Sequence, residues 1–300
     1  MKVAIGSSSF GKADPAPIQM LNDSNIEIIP NTLNRKLNEN EIVKLLKSAD
    51  GLLAGLEPLN ENVLEKAPKL KVISRIGIGI DNIDLKAAKN RNIKVFNTPD
   101  APTIAVAEMT LAAALTLSRN ILFSNSQLHK RNWVKTISSG IMDSALLIVG
   151  YGRIGRKTAE LFRPLGAKIF VVDPNISKKD LIYGEKLVDL KEGLNLANIV
   201  TLHASGGHTI LDEEQFRWMQ DGVILLNAAR GSLINEKALI DSLKSKKVAS
   251  AWCDVFSEEP YSGELVNYDN VLLTPHISTY TNHCRKSMEI EAVNNLIDNL

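Results

Sequence analysis

The chain has 300 residues, of which 44% are hydrophobic and 23% charged, and its formal net charge at pH 7 is +1. This length and apolar content allow a sizeable core and favour two domains. The near-neutral charge gives no reason to expect a nucleic acid or an acidic membrane as partner, and no apolar run approaches membrane-spanning length.

The cysteines and the first residues bear on the cellular compartment. Cys253 and Cys284 have neither the spacing of metal ligands nor that of a disulfide framework, so no metal is predicted. The N-terminal stretch MKVAIGSSSFGKADP contains an apolar run much shorter than the core of a signal peptide. We therefore expect a cytoplasmic protein.

Residues 1–97 alternate short apolar runs with helical patterns, near 16–22, 39–48, 60–67 and 85–90. This alternation predicts a small parallel sheet wrapped by helices. The predicted strands are Val3–Ile5, Ile26–Ile29, Gly51–Ala54, Lys71–Ser74 and Ile93–Phe96.

A glycine-rich turn follows the fourth of these strands. Gly77 and Gly79 are expected to expose backbone N–H groups at the carboxyl end of the strand, where a carboxylate could bind. A purely structural turn, whose conformation glycine fits, explains the segment equally well. Arg75 beside it suggests a second anionic group on the ligand, such as phosphate, or else an outward salt bridge.

A linker and an apolar helix come next. Residues 97–102 are rich in turn formers, and residues 103–118 form a helical pattern with Glu108 as its only charge. A helix this apolar is expected to be buried between domains or against a partner subunit. Residues 119–140 are polar around an isolated Trp133, which indicates surface packing or an oligomer contact.

From residue 145 the alternation resumes with six strands, which match a doubly wound sheet. They are Ala145–Val149, Lys168–Val172, Ile199–Leu202, Val223–Leu226, Val248–Ala251 and Val271–Leu273. A final helical pattern over 283–300 is expected to return to the first domain. The predicted domains are thus 1–98 with 283–300, and 99–282.

The most informative motif is the turn Gly150-Tyr-Gly152-Arg-Ile-Gly155, which lies between a strand and a helix. Gly150 permits the tight turn, Gly152 lets the backbone approach a pyrophosphate, and Gly155 lets helix and strand pack closely. The helix N-terminus supplies N–H groups and a positive dipole end. This order of elements predicts a dinucleotide site.

An acid follows the second strand of this motif. Asp173 is placed to accept hydrogen bonds from both ribose hydroxyls and would repel a 2′-phosphate. The next residues contain no arginine, so NAD is favoured over NADP, although Lys178 and Lys179 lie nearby.

Three polar residues follow the last three strands. Arg230, Glu259 and His276 should meet at one sheet edge, because ligands of open α/β sheets bind outside the carboxyl ends of the strands. Taken singly, they could be a surface charge, a solvated acid and a capped core histidine. His203, after an earlier strand, is either a neighbour of the cofactor or a satisfied polar residue.

Together the three residues suit hydride transfer at a 2-hydroxy acid. The arginine can hold a carboxylate bidentately and polarise the 2-oxo group. The histidine can take the hydroxyl proton. The glutamate can fix the orientation of the imidazole and stabilise its protonated form.

The sequence resembles the D-isomer-specific 2-hydroxyacid dehydrogenase family, which contains phosphoglycerate dehydrogenase. The matching segments are RIGIGIDNID (75–84), VAE (106–108), GYGRIG (150–155), NAARG (227–231), DVFSEEP (254–260) and TPH (274–276). The family's usual glycine pair after the catalytic histidine is Ser278-Thr279 here, and Pro102 and Ser205 also depart from its pattern. These changes leave the substrate open.

The resemblance implies a set of site residues. The catalytic set is Arg230, Glu259 and His276. Cofactor contacts are assigned to Gly150, Gly152, Arg153, Ile154, Gly155, Asp173, His203, Ala204, Ala228 and Asp254. The substrate carboxylate is assigned to the amides of Ile78 and Gly79, with Arg75 and Arg230 also at the substrate.

The resemblance also implies two Rossmann-like doubly wound parallel-sheet domains, a flavodoxin-like substrate domain and an NAD-binding domain, with a cleft between them. A homodimer through the cofactor domain is expected. We predict an NAD-dependent enzyme that interconverts a small D-2-hydroxy acid and its 2-oxo acid. The alternatives are an NAD(H)-sensing, co-repressor-like protein of the same fold and another Rossmann enzyme, such as a methyltransferase.

Overall fold

The computed structural model describes residues 1–142, 144–182 and 184–300. These residues form an α/β protein with two parallel sheets, one of five and one of seven strands. The chain divides into two compact units: a first unit of residues 1–102 and 279–300, and a second unit of residues 103–278. The predicted fold class of two doubly wound parallel-sheet domains is confirmed, whereas the predicted cleft stays a prediction.

The sheet of the first unit has the strand order β2-β1-β3-β4-β5, which is the flavodoxin-like order. Its strands are β1 (Lys2–Ile5), β2 (Glu27–Ile29), β3 (Gly51–Ala54), β4 (Val72–Arg75) and β5 (Lys94–Phe96). Its connecting helices are α1 (Ala16–Asp23), α2 (Glu39–Leu46), α3 (Glu61–Glu65) and α4 (Leu85–Asn90). Side chains cap the starts of three of them, at Asn38, Asn60 and Asp84, which fixes where these helices begin.

The sheet of the second unit has the order β12-β11-β10-β9-β6-β7-β8, so the dinucleotide-binding strand order is present with one added strand. The strands are β6 (Ala145–Val149), β7 (Lys168–Val172), β8 (Lys186–Leu187), β9 (Ile199–Leu202), β10 (Val223–Asn227), β11 (Val248–Cys253) and β12 (Val271–Leu273). The helices are α5 (Pro102–Ser118), α6 (Ile121–His129), α7 (Arg153–Phe162), α8 (Leu190–Leu196), α9 (Glu213–Trp218) and α10 (Glu236–Lys244). Because β6 and β9 are neighbours, the point where the strand order reverses lies between them.

Two elements correct the sequence predictions. The second sheet has seven strands rather than six, because β8 adds a two-residue edge strand too short to show an apolar run. Part of the stretch 119–140, which was predicted to be polar, is helical, as α6, and this helix exposes the apolar side chains of Ile121, Phe123 and Leu128. None of the residues of α6 is buried, so this helix lacks the apolar stripe toward its own core that a sequence pattern would reveal.

The last helix, α11 (Asn282–Ile297), belongs to the first unit. Its N-cap Thr281 accepts a hydrogen bond from the amide of Cys284. The predicted apolar face of Met288, Ala292, Val293 and Leu296 is at most 1% exposed. The helix contacts β3, β4 and α1, so the first unit is built from both ends of the chain.

Among the described residues, no single helix is long and apolar enough to cross a membrane. The pair α5 and α6 reaches that length and composition only when taken together, across a bend of 60°.

Candidate active site

The glycine turn after β6 has the three properties that its sequence predicts. Gly150 has a φ of +95°, and a Cβ added to it would lie 2.5 Å from the amide nitrogen of Ala204. A Cβ on Gly155 would overlap the carbonyl oxygen of Gly150, so α7 packs tightly onto the strand. Around Gly152, by contrast, nothing lies within 4 Å of such a Cβ among the described atoms. The turn is therefore open where a phosphate group would approach.

The start of α7 is suited to an anion. Gly152 is its N-cap in extended conformation, and no side chain among the described residues caps this helix. Arg153 is exposed and Ile154 half-buried at the first two helical positions. The positive end of the helix is thus left for a ligand such as a pyrophosphate.

Asp173 lies against this turn. Its Oδ2 accepts a hydrogen bond of 2.8 Å from the amide of Tyr151, and its Oδ1 accepts one of 2.8 Å from the amide of Asn175. Each carboxylate oxygen has a further lone pair that can accept from a ribose hydroxyl. The binding of a ribose by Asp173 stays a prediction.

His203 lies behind the turn. Its amide donates to the carbonyl oxygen of Val149 at 2.7 Å, and its Nε2 lies 3.2 Å from Oγ1 of Thr158 and 3.0 Å from Oγ1 of Thr201. Burial lowers the pKa of His203 to about 3, so the ring is neutral. Both sequence interpretations remain: the bonds fit a satisfied polar residue, and the alternative of a cofactor neighbour stays a prediction. The two threonines were missed because nothing local marks them.

His276 and Glu259 form the central pair. His276 Nδ1 lies 2.9 Å from Glu259 Oε2, and the amide of Phe256 donates to Glu259 Oε1 at 3.0 Å. The side chains are 38% and 25% exposed, respectively, which rules out the alternatives of a capped core histidine and a fully solvated acid. The imidazole is thus held through Nδ1, and its other nitrogen, Nε2, is left for a reacting group.

Asp254 fixes the loop that carries His276. It is fully buried, and its Oδ1 accepts from Thr274 Oγ1 at 2.6 Å and from the amide of Ile277 at 2.9 Å. Its Oδ2 accepts from the amide of Ser278 at 2.9 Å and from Ser278 Oγ at 2.6 Å. Four hydrogen bonds therefore hold residues 274–278 while His276 adopts a φ of +55°. The contact of Asp254 with the cofactor stays a prediction.

Arg230 lies in a turn after β10 that Asn227 stabilises. The buried Asn227 donates to the carbonyl oxygen of Arg230 at 2.9 Å and accepts from the amide of Ala229 at 3.0 Å. The Arg230 guanidinium is half-buried and donates to the carbonyl oxygen of Ala229 at 2.7 Å. Ala228, assigned to the cofactor, is part of the same turn.

The turn of Arg230 touches the loop of Glu259. A Cβ added to Gly231 would overlap the backbone of Phe256 and Ser257, so only glycine allows this approach. Since Glu259 in turn contacts His276, the structure brings together the three loops that carry the predicted catalytic residues. Sequence reasoning missed the structural roles of Asn227, Thr274 and Ser278, although the first two stand in the quoted motifs and Ser278 was marked as a departure from the family.

In the first unit, the structure of the turn after β4 partly corrects the prediction that Gly77 and Gly79 both expose their backbone N–H groups. The amide of Gly77 is not free, because it donates to Thr98 Oγ1 at 2.8 Å. Asn97 Nδ2 donates to the carbonyl oxygen of Ile78 at 2.8 Å and so fixes the turn. The proposed carboxylate-binding site is therefore limited to the amides of Ile78 and Gly79.

Both interpretations of Arg75, a second anionic group on the ligand and a salt bridge, stay predictions. The residue is only 8% exposed, and its Nη1 donates to the carbonyl oxygen of Ile76. Its guanidinium lies inside the first unit, beneath the turn.

Comparisons with known proteins agree with this geometry. Residues 111–278 match the sequence model of the NAD binding domain of D-isomer specific 2-hydroxyacid dehydrogenases. The D-3-phosphoglycerate dehydrogenase of Methanocaldococcus jannaschii is 37% identical over 261 residues, which cover 84% of this chain and 50% of that protein. The hydroxypyruvate reductase of Thermotoga maritima is 32% identical over 291 residues, which cover 94% of this chain and 93% of that protein.

Solved structures share the fold. The D-lactate dehydrogenase of Aquifex aeolicus, complexed with NAD and lactic acid, superposes with a TM-score of 0.85 at 27% identity, covering 98% of this chain and 93% of that chain. This chain spans about half the length of the phosphoglycerate dehydrogenases that it matches.

Proposed function

The chain belongs to the D-isomer specific 2-hydroxyacid dehydrogenase family, and from this premise we propose that it uses NAD to interconvert a small D-2-hydroxy acid and its 2-oxo acid. The observation that carries the proposal is the His276–Glu259 pair at 2.9 Å, held beside the turn of Arg230. This pair lies in the same unit as the glycine turn and Asp173.

The residues present fit NAD. The open space at Gly152 suits a pyrophosphate, the uncapped start of α7 supplies positive potential, and Asp173 can bind a ribose diol. When bound, the nicotinamide ring supplies the site that gives or receives hydride.

Three side chains of the second unit carry out the proton transfer and bind the substrate. His276 takes the hydroxyl proton at Nε2 as the alcohol is oxidised and returns it in the reverse direction, since Nδ1 is engaged by Glu259. Glu259 orients the ring and offsets its positive charge. Arg230 holds the substrate carboxylate and polarises the 2-oxo group. For the first unit, we propose that the amides of Ile78 and Gly79 bind a carboxylate.

The test is the loss of NADH absorbance with a panel of 2-oxo acids: glyoxylate, pyruvate, hydroxypyruvate, 3-phosphohydroxypyruvate and oxaloacetate. Turnover of any of them, with the D-isomer as product, supports the proposal. If NADH binds and none is reduced, the proposal fails and the NAD(H)-sensing alternative gains support.

Asp173→Ala is expected to weaken NAD binding by about ten-fold and to spare or improve NADP binding, because it removes the acceptor of the ribose hydroxyls and the charge that repels a 2′-phosphate. Dissociation constants for both reduced cofactors, measured by fluorescence titration, check this.

The matched control for this variant is Asp221→Ala, which removes a carboxylate that is 89% exposed in the same unit. An equal loss for both cofactors would mean that Asp173 acts only by holding the Tyr151 amide.

We also propose that the protein is a homodimer through the second unit. Large apolar side chains are exposed between residues 121 and 142, and a patch of this kind is typical of an interaction surface. They include Ile121 (50%), Phe123 (46%), Leu128 (57%), Trp133 (79%), Ile137 (103%) and Met142 (75%). A second copy of the chain is the occupant that the family resemblance favours.

The double variant Trp133→Glu with Ile137→Glu is expected to convert the dimer to a monomer, since two buried charges at an apolar contact cost several kcal/mol. Sedimentation velocity measures the outcome, with Ile182→Glu, at a residue that is 62% exposed outside this segment, as the control. A wild-type protein that sediments as a monomer would refute the dimer.

We further propose that the enzyme acts in the cytoplasm, with neither a nucleic acid nor a membrane as partner. The near-neutral net charge of +1 supports the absence of a polyanionic partner.

A further inference from the structure

The guanidinium of Arg156 joins two backbone segments of the second unit. Arg156 is half-buried near the start of α7, directly after Gly155. Its Nε donates to the carbonyl oxygen of Tyr151 at 3.1 Å, and its Nη1 donates to the carbonyl oxygen of Asp180 at 2.7 Å. Its Cζ lies 4.8 Å from the centre of the Tyr151 ring, at the distance of a cation–π contact. One side chain therefore holds the glycine turn and the loop after β7 together.

Each of these two segments also donates a hydrogen bond to Asp173. The amide of Tyr151 donates to Asp173 Oδ2, and the amide of Asn175, in the loop after β7, donates to Oδ1, both at 2.8 Å. Because each carboxylate oxygen has a backbone donor of its own, the two bonds fix the orientation of the carboxylate. The segments that orient Asp173 are thus the segments that Arg156 holds.

The loop is folded around its contact with Arg156. Asp180 Oδ2 accepts from the amide of Ser177 at 2.8 Å and from Ser177 Oγ at 2.9 Å. These bonds lower the pKa of the Asp180 carboxyl, and the charge of Arg156 contributes to the same shift. Ile176 and Leu181 pack against the apolar cluster that contains Tyr151. Residues 176–181 therefore form a defined turn, and Arg156 connects this turn to α7.

We infer that Arg156 is a positioning residue for the adenosine half of the cofactor: it fixes the two segments that orient Asp173 and thereby strengthens the preference for NAD over NADP. This inference rests on the proposed function, in which Asp173 binds the ribose diol. An arginine near such an acid ordinarily favours NADP, because it can bind the 2′-phosphate. Here Nε and Nη1 of Arg156 are engaged by carbonyl oxygens, so the arginine acts through the acid and favours NAD.

Dissociation constants of NADH and NADPH, measured by fluorescence titration without substrate, test this role. Arg156→Ala is expected to weaken NADH binding by about ten-fold and NADPH binding by no more than about three-fold, because a loosened Asp173 binds the diol less well and repels a 2′-phosphate less. Alanine is the best helix former, so α7 should persist. The control is Lys157→Ala, which removes the next cation of α7, paired with Glu160 at 2.7 Å, and should leave both constants unchanged.

Two further variants separate positioning from charge. Arg156→Lys keeps the charge without the planar fork, so it is expected to recover only part of the NADH affinity, and it remains informative should the alanine variant fail to fold. In an Asp173→Ala background, Arg156→Ala should weaken NADH binding by no more than a further two-fold or so, because the residue that it positions is already absent.

Three kinds of result overturn the inference. They are an NADH affinity that Arg156→Ala leaves unchanged or lowers equally with that of NADPH, a full recovery with lysine, and a ten-fold loss on top of that of Asp173→Ala.

The outcome is separable from that of the proposed function, since the titrations need no turnover. A shifted cofactor preference without reduction of any 2-oxo acid supports the role of Arg156 and defeats the dehydrogenase activity alone. Turnover with an unshifted preference defeats the role of Arg156 alone. An Asp173→Ala variant that binds NADH as the wild type does defeats both the ribose assignment and this inference.

Discussion

Replacing His276 with alanine is expected to lower kcat for 2-oxo acid reduction by at least about a hundred-fold, because the alcohol oxygen then loses its proton donor. NADH affinity should stay within about two-fold, since the histidine lies in a loop held by Asp254 rather than in the glycine turn. Single-turnover kinetics, together with a fluorescence titration of NADH, separate the two quantities.

Two further variants make this result specific. Glu259→Gln keeps the size of the partner at Nδ1 but removes its charge, so it should cause a smaller loss of kcat than His276→Ala. His208→Ala, at an exposed histidine of the same unit, should leave the rate unchanged. Full activity of His276→Ala would exclude His276 as the acid and base.

Replacing Arg230 with glutamine is expected to lower kcat/KM by about a thousand-fold, since it removes both the bidentate carboxylate contact and the charge that polarises the 2-oxo group. The side-chain amide of Asn227 holds the turn by bonding the backbone of Ala229 and Arg230, so the loop should keep its conformation. Steady-state kinetics measure the change, and Arg217→Gln, at an exposed arginine on α9, is the control.

The separate effects of the substitution on kcat and on KM identify the role of Arg230. Arg230→Lys keeps the charge without the planar fork, and a partial recovery is expected. A rise in KM with an unchanged kcat would show that the residue binds substrate and transition state equally, which contradicts a role in polarising the 2-oxo group.

Local patterns explain why so much of the fold was predictable. Strands such as Ala145–Val149 and Lys168–Val172 were placed exactly, because a strand buried in a parallel sheet is a continuous apolar run between turns. The glycine turn and Asp173 were singled out because the strand, the helix and the acid around the three glycines agree with one arrangement. Parallel strand ends then placed Arg230, Glu259 and His276 on one edge.

What the sequence could not show depends on contacts between distant residues. The buried acid Glu57 gave no signal, since its place between Gly6 and Gly55 follows from the packing of β1 beside β3. The bonds from Thr274 and Ser278 to Asp254 span at least twenty residues. The amide of Gly77 was predicted to be free, but its acceptor, Thr98, lies just after the neighbouring strand β5, 21 residues along the chain.

The return of α11 to the first unit has a consequence for protein synthesis. The ribosome must produce all of residues 103–278 before the helix that covers β3 and β4 emerges. At translation speeds of about 5–20 residues per second, this interval lasts roughly 9 to 35 seconds. The second unit can therefore fold first, although most of the first unit is made before it. During that interval the nascent chain exposes an apolar sheet face, and chaperones would be expected to bind it there.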